Sequence, residues 1–232
     1  MIKMLELNKV YNMDFLLNKL PDECIDLVVT DPPYKLTSGG CKNTKIGGIC
    51  GNNKNKFISN GKVFKYNNIK SIDWFNELYR VLKNGSHCYI MCNDKHMQEY
   101  LNNAEKVGFK EVNILIWNKG MHTPTQYYMK CCEFILMFRK GKSKYINNMG
   151  SKTLINIKGL KGNKKHPSEK PIDLMEFLIL NSSNENDIVL DPFMGVGSTI
   201  LASIKNNRKY IGYEIDKKYY DIVENILNKW IR

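Results

Sequence analysis

The sequence lacks several features that would place it in a membrane or outside the cell. It has no run of about 18 or more apolar residues, which argues against a membrane-spanning helix. Its first residues alternate between apolar and polar types, so they do not form the continuous apolar core of a signal peptide. The seven cysteines are odd in number and follow no secretion signal, which indicates free thiols in a reducing compartment. These absences predict a soluble, cytoplasmic protein.

Cysteine pairs at the spacing of zinc ligands are also missing. Cys41 and Cys50 lie in a segment rich in glycine and asparagine, but no second pair of ligands accompanies them. The sequence therefore predicts no metal site.

Acidic residues are nearly absent from two segments that are rich in lysine. Residues 35–70 contain eight lysines and no acid, and residues 139–170 contain ten lysines and arginines and one acid. Because the whole chain has a net charge of +12, the rest of it is net negative. This confinement is typical of a nucleic-acid-binding surface, although solvated loops of a lysine-rich protein share the composition. The lysines predicted to contact nucleic acid are Lys42, Lys45, Lys54, Lys56, Lys142, Lys144, Lys161, Lys164 and Lys165.

Short apolar runs alternate with amphipathic segments along the chain. The β-branched run at 25–30 has the pattern of a buried parallel strand, and it ends at two prolines that cannot extend a central strand. Further strands are predicted at 5–13, 87–92, 112–117, 133–139, 187–190 and 210–213, and helices at 15–20, 72–82, 97–107, 171–180, 198–206 and 218–231. This alternation predicts a single α/β domain over residues 1–232, with a mostly parallel sheet.

Three local details of these elements can be predicted. Ser71 is a plausible N-cap of the helix at 72–82. Residues 140–165 have the composition of an irregular, basic segment. The apolar face of the last helix is predicted from helical spacing to contain Tyr219, Ile222, Ile226 and Trp230.

The motif Asp31-Pro32-Pro33-Tyr34 stands at the carboxyl end of the buried strand. The prolines fix the backbone, so the Asp31 carboxylate and a proline-linked carbonyl can each accept a hydrogen from an exocyclic amino group. Tyr34 offers a flat face on which a flipped base can stack. The structural alternative is a rigid turn with a buried tyrosine.

A second motif runs from Asp191 to Thr199, where a short strand, a glycine-rich turn and a helix follow one another. Such a turn can cradle a nucleotide or cofactor, and Glu214 at the end of the next strand is suited to ribose hydroxyls. A dinucleotide fingerprint would have a third glycine where Ile200 stands, which argues against NAD. A plain tight turn is the alternative.

The third motif is His166-Pro167-Ser168-Glu169-Lys170-Pro171, which opens a helix. A helix N-terminus with a serine and a lysine suits a carboxylate ligand. An ordinary capping segment with solvated charges would have the same composition.

In these motifs and their order, the chain resembles the beta group of DNA amino-methyltransferases from bacterial and phage restriction–modification systems. DPPY comes first, the HPSEKP segment follows, and DPFMGVGST stands near the carboxyl end of the sequence. The resemblance covers nearly the whole chain. It implies the S-adenosylmethionine-dependent methyltransferase fold, a doubly wound and mostly parallel sheet that is circularly permuted with the catalytic half first. It also implies that the strands before DPPY and DPFMGVGST are neighbours at the topological switch point.

The resemblance implies roles for the motif residues. Asp31, Pro32, Pro33 and Tyr34 would form the catalytic pocket for a base flipped out of the duplex. Glu214 would bind the cofactor ribose and Asp14 would lie near its adenine. Two later segments, 117–119 and 133–136, resemble strand motifs with a mainly structural role. The residues implied to bind S-adenosylmethionine are Asp14, His166, Ser168, Lys170, Asp191, Pro192, Phe193, Gly195, Gly197, Ser198, Thr199 and Glu214.

The activity implied is methyl transfer to an exocyclic amino group of double-stranded DNA. The resemblance also implies that the proton can leave the nitrogen after the transfer, so Asp31 does not need a raised pKa. Adenine N6 is favoured over cytosine N4, because a serine at the first position of the motif goes more often with cytosine. An RNA amino-methyltransferase and a nucleic-acid-binding protein without catalysis are the alternatives. Segments 35–70 and 139–165 are expected to contact DNA and recognise its target, and a homodimer and a cognate restriction endonuclease are the other partners to consider.

Overall fold

A single mixed sheet organises the chain in the computed structural model, which describes residues 6–33, 69–123, 127–160 and 169–230. Within these ranges the sheet has eight strands in the order β1-β8-β7-β2-β3-β5-β4-β6. The strands are β1 Lys9–Tyr11, β2 Ile25–Thr30, β3 Leu82–Cys92, β4 Lys110–Thr123, β5 Lys130–Arg139, β6 Leu154–Asn156, β7 Ile188–Asp191 and β8 Lys209–Tyr213. The helices are α1 Ser71–Val81, α2 Met97–Val107, α3 Ile172–Ser182, α4 Ser198–Lys205 and α5 Lys217–Trp230, with a short 3-10 helix at Phe15–Leu17.

The five strands β1, β8, β7, β2 and β3 are parallel, as the sequence predicts. Strand β2 pairs with β7 on one side and with β3 on the other, so β2 and β7 flank the point where the chain order reverses. Strand β5 is antiparallel to both β3 and β4. The ends of β2, β7 and β8 therefore meet at one edge of the sheet, here called the carboxyl edge, together with the start of β5. Ligands bind at such an edge in doubly wound sheets.

Helices cover both faces of the sheet because its central strands are apolar on both sides. Helices α1 and α2 pack on one face around Trp74, Phe75 and Leu78. Helix α3 packs on the other face against Leu27 and Val29 of β2. No helix in the described ranges is long and apolar enough to cross a membrane.

Ser71 does not cap helix α1 as predicted. The helix begins at Ser71 itself, and Lys70 in the capping position makes no side-chain capping hydrogen bond. The Ser71 hydroxyl instead contacts the carboxylate of Glu99 and accepts a 2.8 Å hydrogen bond from Asn103 Nδ2, both on α2. The hydroxyl forms these contacts because α2 packs on α1, which the local sequence does not reveal.

The strand predicted to start at His87 begins at Leu82, directly after α1. Asn84-Gly85, a dipeptide typical of turns, lies within this strand, where Gly85 has φ of +85°. The pairing of β2 with β3 shifts there, from Ile25 opposite Leu82 to Leu27 opposite His87. The dipeptide therefore lies at a β-bulge within the strand and not at the end of the strand.

Two further predictions are corrected at the carboxyl-terminal half. The segment expected to be irregular contains the short strand β6, whose Ile155 pairs beside Trp117 of β4. In α5 the buried residues are Val223 and Leu227, whereas Trp230 is 50% exposed. Helical spacing alone allowed either apolar stripe, and packing against β1, β8 and α4 selected the one through Val223.

Candidate active site

The ends of β2 and β7 hold the two aspartates of the motifs side by side. Thr30, the last residue of β2, donates a 2.8 Å hydrogen bond from Oγ1 to Asp191 Oδ1. The same oxygen accepts a 3.1 Å bond from the backbone N–H of Phe193. Burial raises the pKa of Asp191 to about 6, against the opposing effect of these hydrogen bonds and one from Thr199. Asp191 therefore joins the two strand ends and shapes the turn that follows.

The two carboxylate oxygens of Asp31 have different environments. Oδ2 accepts a 2.5 Å bond from Lys170 Nζ. Oδ1 is buried and has no hydrogen-bond partner among the described residues. An unpaired buried carboxylate oxygen is costly, so its presence points to a donor that a ligand supplies. Burial also raises the pKa of Asp31, which the chemistry inferred from the sequence does not require, while the charge of Lys170 lowers it.

Lys170 connects Asp31 to two residues that sequence reasoning placed in structural strands. Its Nζ lies 3.4 Å from Glu133 Oε2 on β5, and Glu133 Oε1 accepts a 3.0 Å bond from Lys119 Nζ on β4. The Lys170 side chain is only 6% exposed. Its ammonium thus lies between two carboxylates, and its predicted contact with the cofactor stays a prediction. The signal that could have revealed Glu133 is a charge at the start of the apolar run Phe134-Ile135-Leu136.

Two positions of the cofactor turn need glycine for different structural reasons. Both have positive φ, +52° at Gly195 and +86° at Gly197, where other residues are strained. A Cβ on Gly197 would lie 3.1 Å from Val223 Cγ1, so this glycine allows α5 to pack on the turn. A Cβ on Gly195 would meet no atom within 4 Å, so this part of the turn faces open space.

Glu214 shapes the turn from the end of β8. Its carboxylate accepts bonds of 3.0 Å from the Gly195 N–H and 2.8 Å from the Asp216 N–H. Burial raises the pKa of Glu214 to about 7, although both backbone bonds oppose the shift. On the same edge, Asn12 Nδ2 donates a 2.8 Å bond to the Glu214 carbonyl.

The other described motif side chains are buried or half-buried. Phe193 packs edge-on against Trp74 of α1, with ring centroids 5.7 Å apart, and forms an aromatic wall. Asp14 caps the short 3-10 helix by accepting a 2.9 Å bond from the Leu16 N–H. Ser198 Oγ donates a 2.8 Å bond to the Lys170 carbonyl, and the buried Thr199 bonds to Asp191. The hydroxyls of Ser198 and Thr199 therefore form bonds within the protein, and their role as cofactor ligands stays a prediction.

The arrangement fits a cofactor of the S-adenosylmethionine type. The open face at Gly195 admits close approach of a ligand to the backbone, and Glu214 supplies a carboxylate at the next strand end. The unpaired Oδ1 of Asp31 lies on the neighbouring strand end, where an acceptor amine would complete its hydrogen bonding. In the described ranges, no group of three or more His, Cys, Asp or Glu side chains could hold a metal ion.

Comparison with known proteins identifies the family. A model of the N6_N4_Mtase family, described as DNA methylase, matches residues 25–225. The chain belongs to this family. It is 30% identical to the type II methyltransferase M2.LlaDCHI of Lactococcus lactis subsp. cremoris, over 92% of this chain and 86% of the relative. The protein is therefore a DNA amino-methyltransferase of restriction–modification type, and its family uses S-adenosylmethionine.

Solved structures support the same fold. The crystal structure of an M1.HpyAVI–SAM complex matches with a TM-score of 0.67 and 25% identity, covering 94% of this chain and 98% of that one. The PvuII DNA methyltransferase, described as cytosine-N4-specific, matches with a TM-score of 0.68 and 20% identity, covering 96% and 93%. The second likeness shows the doubly wound methyltransferase fold only.

Several residues predicted for this methyltransferase lie outside the described ranges. Asp31, Pro32 and Pro33 are placed, with Pro32 buried, whereas Tyr34 is not described. The remaining predicted residues outside these ranges are His166, Ser168, Lys42, Lys45, Lys54, Lys56, Lys161, Lys164 and Lys165.

Lys142 and Lys144 lie near the beginning of β3, at the edge of the sheet opposite the carboxyl edge. The Lys142 N–H donates to Asn84 Oδ1, and the Lys144 carbonyl lies 3.1 Å from His87 Nε2, near the beginning of β3. Asp31 follows the other end of the parallel strands, roughly 15 Å away at the usual rise per residue. These lysines therefore lie away from the two motifs, and their contact with DNA stays a prediction. The antiparallel direction of β5, which takes the chain away from the carboxyl edge, is the reason.

Proposed function

We propose that this methyltransferase transfers a methyl group from S-adenosylmethionine to the N6 amino group of adenine in double-stranded DNA, acting on a base flipped out of the helix. The observation that supports it is the buried, unpaired Asp31 Oδ1 at the strand end beside the glycine turn. An exocyclic amine would supply the missing donor. Cytosine N4 presents the same hydrogens, and the PvuII enzyme, described as cytosine-N4-specific, shares the fold. The preference for adenine therefore rests only on the aspartate that opens DPPY.

In the proposed mechanism, Asp31 orients the amine and stabilises the charge that develops on its nitrogen. Oδ1 accepts one N–H, which turns the nitrogen lone pair towards the cofactor side of the site. The neighbouring prolines lack N–H groups and restrict φ, so the backbone here is preorganised. S-adenosylmethionine, held along the turn by Glu214 and Phe193, would supply an electrophilic methyl group, and the nitrogen that accepts it would release its proton to solvent. Tyr34 is proposed to stack on the flipped base.

The cofactor is proposed to lie along the turn, with its ribose hydroxyls on Glu214 and its adenine towards Asp14. Phe193 provides the apolar wall, and Asp191, Pro192 and Gly197 maintain the turn without direct bonds to the ligand. His166 and Ser168 keep their proposed place at the methionine end. We further propose that the whole chain, residues 1–232, acts as one methyltransferase domain in the cytoplasm.

DNA is proposed to bind across the carboxyl edge. Tyr127 and Tyr128, which precede β5 at this edge, are 84% and 95% exposed, and aromatic rings of this kind can stack on bases. Lys158 is exposed beside the same hairpin, where the Gly159 N–H donates to the Lys119 carbonyl. The lysines of 35–70 and 161–165 remain proposed DNA contacts, and a homodimer and a cognate endonuclease remain proposed partners.

The test of function is transfer of labelled methyl from S-adenosylmethionine to mixed-sequence duplex DNA, followed by mass analysis of the nucleosides. Deoxy-N6-methyladenosine is the expected product. N4-methyldeoxycytidine would keep the mechanism and change the base, whereas label on RNA alone would overturn the DNA proposal.

The Asp31→Ala substitution separates catalysis from binding. It removes the acceptor for the amine, so methyl transfer should fall by about three orders of magnitude, as when a preorganised transition-state contact is lost. Cofactor affinity measured by calorimetry should stay within about threefold, because Asp31 does not contact the cofactor in this proposal. Surviving methyl transfer would show that the site is wrongly assigned.

A further inference from the structure

We propose that Glu133 and Lys119 are positioning residues for the catalytic carboxylate, acting on Asp31 through Lys170. The four residues, here called the charge relay, alternate in sign in the order Asp31, Lys170, Glu133 and Lys119. They come from the end of β2, the segment before α3, and strands β5 and β4. This inference deepens the proposed function and rests on it for the role of Asp31.

The relay is continuous and largely shielded from water. Its three links measure 2.5, 3.4 and 3.0 Å between nitrogen and oxygen atoms. The side chains of Asp31, Lys170, Glu133 and Lys119 are 15%, 6%, 22% and 17% exposed. Ion pairs on the open surface contribute little because water screens them, but charges shielded to this extent interact strongly. Lys170, a buried lysine between two carboxylates, therefore has a strong electrostatic effect on Asp31.

Each carboxylate in the relay uses its two oxygens separately. Lys170 binds Oδ2 of Asp31, which leaves Oδ1 for the substrate. In Glu133, Oε2 contacts Lys170 and Oε1 accepts a hydrogen bond from Lys119. An ammonium carries only three N–H donors. Because Glu133 also attracts Lys170, fewer of these donors are available to bind Asp31. Glu133 thus keeps one oxygen of the catalytic carboxylate available.

The relay also balances the charge of Asp31. An unpaired carboxylate in a buried site would become protonated and would no longer accept two hydrogen bonds, whereas a fully neutralised one would stabilise a developing positive charge poorly. Burial raises the pKa of Asp31, Lys170 lowers it, and the charge of Glu133 raises it again. Although burial acts to raise the pKa of Glu133, the two lysines lower it, so Glu133 stays ionised.

The Glu133→Gln substitution tests the relay because it keeps the shape and removes the charge. We expect kcat to fall about 10- to 100-fold, since a misplaced catalytic group costs rate even when the chemistry is unchanged. Affinities for cofactor and DNA should stay near those of the wild type. The acidic limb of the kcat–pH profile should move to lower pH, because Asp31 loses a negative neighbour that raises its pKa. The matched control is Glu176→Gln. Glu176 lies on α3 and forms a surface ion pair with Lys205 of α4.

A second pair of variants keeps the proposal testable if Glu133→Gln does not fold. Lys119→Met should lower kcat while Lys119→Arg retains most of it, because arginine preserves the charge beside Glu133. Lys130→Met is the control, since Lys130 stands on the same hairpin with the same charge but pairs with the exposed Asp94. Equal losses in Lys119→Met and Lys130→Met would indicate a general effect of charge on DNA binding and would overturn the relay.

A readout independent of methyl transfer separates this inference from the proposed function. The ¹³C resonance of the Asp31 carboxyl, assigned with Asp31→Asn, should titrate at lower pH in Glu133→Gln than in the wild type. An unchanged titration would overturn the relay even in an active enzyme. A shifted titration in a protein that methylates no DNA would support the relay and reject the proposed function.

Discussion

At the scale of single residues, carboxylates buried at the strand ends determine the chemistry of the site. Asp191 is satisfied by the protein, with Thr30 and Phe193 as donors, and serves to join the strands. Asp31 is satisfied at only one oxygen, and Glu214 accepts two backbone N–H groups while its carboxylate faces the turn. The same side-chain type is structural or functional according to how many donors the fold has already provided.

A pH dependence of cofactor binding follows from Glu214. Its pKa is about 7, so the carboxylate that would accept ribose hydroxyls is ionised only above that pH. The affinity for S-adenosylmethionine should therefore be greatest above about pH 7 and decrease as the pH falls below it. Calorimetry between about pH 5.5 and 8.5 would measure this decrease. In Glu214→Gln the affinity should be low, and an inflection near pH 7 that persists there would assign the titration to another group.

At the scale of elements, the turn between β7 and α4 places two glycines at different interfaces. The pattern GxG does not distinguish them, since both need positive φ. The fold places α5 against Gly197 and leaves the space beside Gly195 open. Packing therefore makes the first glycine a candidate for ligand approach and the second a requirement of the core.

Alanine at each glycine should separate stability from binding. Gly197→Ala adds contact with Val223 to the cost of positive φ, and should lower the free energy of unfolding by more than the roughly 1–2 kcal/mol expected from φ alone. Gly195→Ala should incur only the backbone cost, while its methyl group enters the space proposed for the cofactor. Denaturant unfolding and cofactor titration would measure both effects. A larger loss of cofactor affinity in Gly197→Ala than in Gly195→Ala would contradict the assignment.

At the scale of the whole molecule, strand direction decides which basic residues share an edge with the site. The segment after β5 begins at the far edge, where Lys142 and Lys144 lie, and returns through β6 to the carboxyl edge at Lys158. The positive charge that appears as one block in the sequence is therefore divided between two opposite edges. Lys158 therefore lies on the same edge of the sheet as the site, whereas Lys142 and Lys144 lie on the opposite edge.

Charge reversal tests this division. Lys158→Glu should weaken DNA binding and reduce its dependence on salt, because each lost phosphate contact lowers the slope of log affinity against log salt by about one. Lys142→Glu combined with Lys144→Glu should leave both quantities near the wild type. Fluorescence anisotropy with a short duplex at several salt concentrations would measure both. A greater effect of the double variant would place the DNA at the far edge.

Much of the fold and of the cofactor turn could be predicted from local patterns. The run at 25–30 was bounded correctly because β-branched residues end at prolines, and α2 was bounded correctly at Val107 because Gly108 ends it with φ of +101°. The proximity of the two motifs was predicted only through the family resemblance. The predictions of Ser71 as a helix cap and of Trp230 on the packed face of α5 were wrong, because local spacing does not identify the partner helix or sheet.

By itself, the sequence determined most of the elements and the α/β class, and it predicted the residues that can accept an amine or line a cofactor turn. These properties arise from contacts within a few residues, where proline, glycine and apolar periodicity act directly. Only the tertiary structure decided that Lys170 binds Asp31 and Glu133, that Ser198 and Thr199 bond internally, and that Lys142 and Lys144 lie away from the site. Pairing across a sheet brings together residues more than a hundred positions apart, and no local pattern encodes which oxygen remains without a donor.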